Sequence, residues 1–481
     1  MNCTTLARRH VLSRPDATAL WSADGTTYSF GEVGRMVAGA QRLMHRHRVD
    51  TGDTVLVLGT PSPRLFAAII GLLGSGITVV FVEPWLPVAE IDEVIRRVKP
   101  KAFLASSLAR LWTWRVPAVR EIPAVVPLSH IDGAASGSDP FQLVEMAPDT
   151  PGTLTFSSGT TGSPKGLIRT HECLQTLFRL LGGNEGRDLA GGPDLCVFPN
   201  LALLHLATGR GAVLFPPRWK NRSFRRIAGV ADSAGPTTLS CGPGFLRRLL
   251  DYSERRPEAF SSLKEVCVGG AQVDCDLLER GFSRWPGARW LQIYGGSEAE
   301  PVAINDARES VRSSRDRGLF QALFLGRPIP EIETRLAPSG LWVRGPNVAC
   351  RFEDVSWNGN GASKPSEGQR RWHAMGDRIE ADVWGWWYGG RARQPREEFC
   401  LEQQLYAELG TSACFVSRDE QRRLFLYGEN LPKEARDFRR PFRVRHPELA
   451  GVRRVRIVRD RRHRARIDRK ASLVRAGWAH E

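Results

Sequence analysis

The stretch SSGTTGSPKG, residues 157–166, decides how this chain is read. It follows the apolar run Leu154-Thr155-Phe156. It precedes a segment, residues 171–181, in which Leu174, Leu177, Phe178 and Leu181 recur at helical spacing. It therefore reads as a loop leaving a strand. Gly159 and Gly162 let backbone N–H groups turn toward a ligand, and Ser157, Ser158, Thr160 and Thr161 carry hydroxyls that can donate to phosphate oxygens. Lys165 adds a mobile positive charge. A Walker loop needs G-x-x-x-x-G-K-[ST]; here Pro164 separates Ser163 from Lys165, and a glycine follows the lysine. A glycine-rich surface turn accounts for any three of these residues, but not for ten in this order.

Three more segments repeat the theme. VGGAQV, residues 268–273, and LQIYGGSEAEP, residues 291–301, each place glycines directly after an apolar strand, where a backbone can approach a flat ligand closely. AMGDRIEADVWGWWYGGR, residues 374–391, sets Asp377 before an aromatic run and ends on Gly389-Gly390-Arg391. Trp384, Trp386, Trp387 and Tyr388 read as core and hinge packing. RDRRHRARIDRK, residues 459–470, closes the set.

Together these motifs resemble the adenylate-forming, or AMP-binding, superfamily of acyl-CoA synthetases, peptide-synthetase adenylation domains and luciferases. The resemblance implies an α/β fold: a large N-terminal body with mixed and parallel sheets and helices, and a small α+β C-terminal lid. It also implies roles. Residues Ser157, Ser158, Gly159, Thr160, Thr161 and Gly162 with Lys165 would hold the phosphates of ATP. Gly269, Gly270 and Ala271 would line the adenine, Tyr294 would stack on it before Gly295 and Gly296, and Ser297 would contact the α-phosphate. Glu298 would hold Mg2+, a hard cation suited to carboxylate and phosphate oxygens. Asp377 would accept the ribose hydroxyls, and Arg391 would contact ribose or phosphate. The tail resembles the D-x-R-H-N-A-K-I segment that carries the family's lid lysine, but the alignment puts Arg466 at the lysine's place. Arginine keeps the charge with a different, planar geometry. Lys470, four residues on, reads as a surface residue.

Across nearly its whole length the chain is most similar to the olefin-pathway β-lactone synthetases and nearby fatty-acyl ligases, through KPKAFLASSLARL, YGGSEAEPV, LGRPIPEIE and LWVRGPNV. No acid stands in VFPNLALLH, where amino-acid-activating relatives offer an aspartate, and this favours a fatty or β-hydroxy fatty acid. His205 lies three residues away from the family's usual histidine position and is given no role. The activity implied is attack of the carboxylate on ATP to form an acyl-adenylate. A thiol of CoA or a carrier protein, or the substrate's own β-hydroxyl, then captures it. Two alternatives stand beside it: a degenerate nucleotide-binding partner protein without turnover, and a stand-alone amino-acid adenylation enzyme.

Composition agrees with that frame. At 481 residues, 42% hydrophobic and 25% charged, the chain is too long for one core, and two or three structural units are expected. Nine cysteines without metal-ligand spacing fit a reduced, cytoplasmic protein. The apolar run at 65–82 is interrupted by Gly71, Gly74, Ser75 and Gly76, as in a helix, turn and strand and not in a membrane span. The net charge of +16 concentrates in residues 439–470. A solvated basic surface, attraction of ATP, CoA or an acidic carrier protein, and nucleic acid all compete to explain it. Nucleic acid ranks last, because the arginines alternate with Val452, Val455, Ile457 and Val458 as on a packed strand.

Along the first third, Ser29 and Glu32 form a capping box ahead of a helix whose face is Val33, Met36, Val37, Ala40, Leu43 and Met44. Strands at 55–58, 77–82 and 102–104 alternate with helices at 63–73 and 87–98, which predicts parallel βα units. Residues 134–139 read as a linker and 356–369 as a flexible insertion. A boundary is expected at Arg391, dividing the chain into 1–391 and 392–481.

Overall fold

Short apolar runs such as Thr54–Leu58 and Thr78–Val82 can bury both faces, and both lie in the middle of a parallel sheet. The computed structural model describes residues 2–134, 141–157, 164–182, 191–216, 219–352, 372–419, 421–459 and 467–476. The linker from 135, the loop residues Ser158, Gly159, Thr160, Thr161 and Gly162, the 356–369 insertion and Arg466 lie outside the described residues.

Two large sheets form the body. The first has seven strands, in the order Cys350–Arg351, Lys165–Thr170, Pro151–Ser157, Thr78–Val82, Thr54–Leu58, Ala102–Ala105, Ala124–Pro127. Its last five strands are mutually parallel. The second has eight strands, parallel from Thr18–Trp21 through Ala212–Leu214, Asp194–Cys196, Thr238–Cys241 and Glu265–Gly269 to Arg289–Tyr294. An antiparallel strand closes each end. The α/β expectation with mixed and parallel sheets is met.

Helices Phe30–Arg46, Pro63–Gly74, His171–Gly182 and Pro199–Thr208 share one core cluster with residues of both sheets, so they fill the space between them. The capping box forms as the sequence predicts: the Glu32 N–H donates to Ser29 Oγ at 3.2 Å, and the Ser29 N–H donates to Glu32 Oε2 at 2.7 Å. All six residues of the predicted apolar face are buried. Gly71 lets the second helix approach the first, since a Cβ there would sit 3.0 Å from the Val37 carbonyl oxygen. A second core lies on the far face of the eight-stranded sheet, and a third on the outer face of the seven-stranded one.

Sequence reading missed the strand that follows the glycine-rich loop. The glycine-rich loop does not run from strand to helix; it joins two antiparallel strands, with Ser157 opposite Lys165 in register, and the helix begins only at His171. The strand Lys165–Thr170 escaped because Gly166, Arg169 and Thr170 break its apolar pattern.

After the hairpin Asp377–Ala381 and Trp386–Arg391, the chain forms helix Arg396–Leu409 and a sheet of Cys414–Arg418, Leu424–Gly428 and Gly451–Arg454. Leu401, Leu405, Cys414, Val416 and Leu426 bury one another there, giving a small C-terminal α+β domain with its own core. Several of its arginines are spent internally. Arg445 pairs with Glu408 and Glu434, and Arg453 lies over the Phe425 ring at 3.6 Å. Trp386, Trp387 and Tyr388 are buried as expected, whereas Trp384 at the hairpin tip is 76% exposed because it is in the turn itself.

Candidate active site

Strands Glu265–Gly269 and Arg289–Tyr294 are parallel neighbours, so their carboxyl ends open on the same edge of the sheet. Open α/β sheets bind ligands at such an edge. The two glycine turns leave from here. Gly269 packs so closely on its neighbour that a Cβ would lie 2.8 Å from the Ile293 carbonyl oxygen, and Gly270 takes φ +82°. Between the turns is a narrow slot walled by Gly270, Ala271, Tyr294, Gly295 and Leu323, with Asp377 at one end.

Asp377 is buried and held from two sides. The Tyr294 hydroxyl donates to its Oδ2 at 2.9 Å, and the Arg391 guanidinium lies 2.7 Å from Oδ1. Burial, then the Asp377 charge, pushes the Tyr294 phenol well above its usual pKa. Burial works against the Arg391 charge, but Asp377, Tyr388, Tyr294 and Glu298 together outweigh it, and its pKa sits above the ordinary arginine value. A flat slot of glycine backbone and one aromatic ring, ending on a fixed carboxylate, offers a stacking surface beside a hydrogen-bond acceptor.

Glu298 sits half-buried in the turn after Gly295-Gly296-Ser297, and its backbone oxygen accepts from the Ala349 N–H at 2.7 Å. Arg169, on the strand that begins with Lys165, donates to the Ser297 backbone oxygen at 2.5 Å and to Thr155 Oγ1 at 3.1 Å. Arg169 thereby ties the hairpin of the glycine-rich loop to the acidic turn. Lys165 is exposed at the strand's start. No group of three or more His, Cys, Asp or Glu side chains able to hold a metal occurs among the described residues. Glu298 offers a hard carboxylate oxygen, a donor that suits Mg2+.

A cleft of about 380 Å3 lies beside the slot, between the body and the small domain. Ala271, Gln272 and Tyr388 belong to the walls of both. Its far wall carries Glu402 and Arg469, an ion pair at 2.8 Å in which Glu402 also accepts from the Val416 N–H and from Gln394.

A model of the AMP-binding enzyme family matches residues 7–349. The chain belongs to that family. Among its members, this AMP-binding enzyme is similar to olefin β-lactone synthetase of Xanthomonas campestris pv. campestris, 28% identical over 335 residues, which is 63% of this chain and 59% of that protein. It is also similar to the p-hydroxybenzoic acid–AMP ligase of Mycobacterium tuberculosis, 27% identical over 391 residues, 77% of this chain and 51% of that one. The chain thus spans only part of the length of either relative. In fold it matches o-succinylbenzoate coenzyme A synthetase of Bacillus subtilis, solved with ATP and magnesium. The TM-score is 0.72 at 19% identity, over 94% of this chain and 96% of the other.

In this AMP-binding enzyme the structure brings Gly269, Gly270, Ala271, Tyr294, Gly295, Gly296, Ser297, Glu298, Asp377 and Arg391 to one sheet edge and its slot. Ser157 and Lys165 flank the loop whose remaining residues are outside the described ones. His205, given no role, is buried and paired with Asp194 at 3.1 Å, which is consistent with a place in the sheet's core. Lys470 is exposed on helix Arg469–Arg475, whereas its neighbour Arg469 lines the cleft. Sequence reasoning missed Arg169, Glu402 and Arg469. It also missed Arg378, which donates to the backbone oxygens of Gly389, Ala392 and Gln394 and so holds the segment around Arg391.

Proposed function

We propose that the protein activates a carboxylic acid, of the fatty or β-hydroxy fatty class, as an acyl-adenylate from ATP, and then passes the acyl group to an acceptor. The observation that carries this reading is the Tyr294–Asp377–Arg391 unit at the end of the glycine-walled slot. It offers a fixed carboxylate for ribose hydroxyls and a cation beside it for the phosphate they carry.

In the adenylation step the substrate carboxylate attacks the α-phosphorus, the bond to the bridging oxygen breaks, and pyrophosphate leaves. Lys165 and Arg391 supply positive charge at the two sides of the site, and Arg466 in the tail supplies a third. Such preorganised charge acts where negative charge develops. Mg2+ bound at Glu298 would neutralise the phosphates. Helix Pro199–Thr208 carries no acid, so nothing on it would meet the amino group of an amino acid. The acceptor is a thiol of CoA or of a carrier protein, or the β-hydroxyl of the bound acid. The chain divides at Arg391 into 1–391 and 392–481, and the smaller part moves against the larger between the two half-reactions. The Gly389-Gly390 pair, with Gly390 at φ +94°, marks the hinge.

Pyrophosphate–ATP exchange with a panel of fatty, β-hydroxy fatty and amino acids tests the reading. We expect exchange with the first two classes, and Glu298→Ala should lower it by about 10²–10³ while the folded state persists. ATP binding with no exchange for any acid would point to a nucleotide-binding protein without turnover. Exchange with amino acids alone would overturn the substrate class.

A further inference from the structure

Strand Ala102–Ala105 ends in a helical run, residues 108–115, that turns the wrong way out for a soluble surface. Its inner side packs normally: Ala109 is buried, and the Trp112 ring stacks at 6.4 Å from Phe103 in the outer core. Its outer side presents Leu108 at 72% exposure, Leu111 at 50% and Trp114 at 79%, three residues apart and so along one ridge. Arg120 fixes the ridge from below, donating to the backbone oxygens of Thr113 at 2.7 Å and Trp114 at 2.9 Å. These bonds satisfy carbonyls at the end of the run, so the ridge is held without anything covering it.

The run's own charges are basic, and the nearest acids, Asp92 and Glu121, are both paired with Arg96. Arg110 and Arg115 flank the apolar tips, and both are exposed with no ion pair to any described residue. The one acid in residues 101–121 is Glu121, which is taken by Arg96 at 2.6 Å. Long basic side chains beside Leu and Trp tips can reach outward to phosphate while the apolar parts sink inward. Three side chains offer far less area than the ~800 Å2 per partner of a stable protein interface. A lipid surface needs no such area and no shaped groove.

The ridge leaves the same sheet edge as the strand that precedes the glycine-rich loop. Strands Ala102–Ala105 and Pro151–Ser157 are parallel members of one sheet, with Thr54–Leu58 and Thr78–Val82 between them. At ~4.8 Å per strand the ends of those two strands, at Ala105 and Phe156, lie ~14 Å apart on that edge. We propose that residues 108–115 dock the protein onto an anionic phospholipid surface.

Co-sedimentation of the full chain with vesicles tests this. Vesicles of phosphatidylcholine mixed with phosphatidylglycerol should bind the protein, and vesicles of phosphatidylcholine alone should not. Leu111→Ser with Trp114→Ser should lower the bound fraction about tenfold or more, since two large apolar side chains no longer leave water. Arg110→Glu with Arg115→Glu should remove binding at low salt. Val383→Ser with Trp384→Ser, an equally exposed pair at the hairpin tip, should change nothing. Pyrophosphate–ATP exchange without vesicles, unchanged in every variant, shows that each is folded and separates this proposal from the adenylation reading. The proposal fails if the mixed vesicles do not bind the wild type, if both vesicle types bind equally, or if the Leu111/Trp114 variant binds as well as wild type. It also fails if the ridge variant instead dissolves a dimer of the wild type seen by sedimentation equilibrium.

Discussion

The nucleotide slot and the seam between body and small domain touch each other, yet they are built in opposite ways. The slot is walled by backbone. Gly269 and Ile293 face each other in a sheet register five residue pairs long, and the turns that follow inherit their positions from packed strands. The seam is held by side chains reaching across: Ser412 Oγ to Asp274 Oδ2 at 3.0 Å, Gln403 to Gln321 at 3.1 Å, and Phe320 set into the small domain's core. A wall fixed by sheet register resists displacement, because moving it means breaking the ladder. A seam of a few polar contacts can part at modest cost. In the proposed cycle the slot is the fixed half of the site, and the seam the half that is re-formed.

The hardest blow to the fixed half is Asp377→Ala. It removes the proposed ribose acceptor and leaves Tyr294 and Arg391 without their shared partner. Exchange should fall by about 10²–10³, with ATP affinity falling alongside it. Wild-type exchange in this variant would mean the slot does not hold the nucleotide. In the tail, Arg466→Ala should slow adenylation by a similar ~10²–10³ but leave ATP affinity nearly unchanged if, as proposed, Arg466 acts on the α-phosphate in the transition state. Lys470→Ala should be silent. If Lys470→Ala proves the damaging change, the tail's register is one turn off.

The two halves also differed in how much of them the sequence revealed. The slot was legible because its constraints are local: glycines after apolar runs, and an aspartate fixed by Met-Gly before it. The helix Phe30–Arg46 was legible for the same reason, its cap and its face lying within one continuous stretch. Arg169 and Ser297 are 128 positions apart, and Arg469 and Glu402 are 67 apart. Arg169, Glu402 and Arg469 look in sequence like ordinary surface charges, and only folding supplies the partner. Trp384 misled in the other direction, since an aromatic run does not show which member is in the turn.

A smaller effect is expected at Arg469→Ala. Breaking a buried ion pair costs up to about 3–5 kcal/mol, but Arg469 is 37% exposed, and ~1–3 kcal/mol of small-domain stability is the expected loss. Burial raises the pKa of Glu402, and Arg469 opposes that rise. With Arg469 removed, Glu402 rises further. A carboxyl raised in the folded state is costly when ionised and costless when protonated. The penalty should therefore be greatest near neutral pH and shrink as pH falls through the raised value. Urea denaturation of wild type and variant across that range reads it; a penalty that grows on acidification would contradict the assignment.

The smallest effect belongs to the seam itself. Ser412→Ala removes one hydrogen bond to Asp274, which keeps Arg247 at 3.0 Å and Gln321 at 3.3 Å and so is not orphaned. The loss should be about 1 kcal/mol, roughly a fivefold change in the ratio of docked to undocked small domain. Because the slot is untouched, ATP affinity should stay at the wild-type value while the adenylation rate changes by no more than that fivefold. Small-angle scattering should show a wider distribution of domain positions. If the scattering is unchanged and hydrogen exchange in helix Arg396–Leu409 is as slow as in wild type, the polar contacts do not set the position of the small domain. The burial of Phe320 would then be what holds the seam.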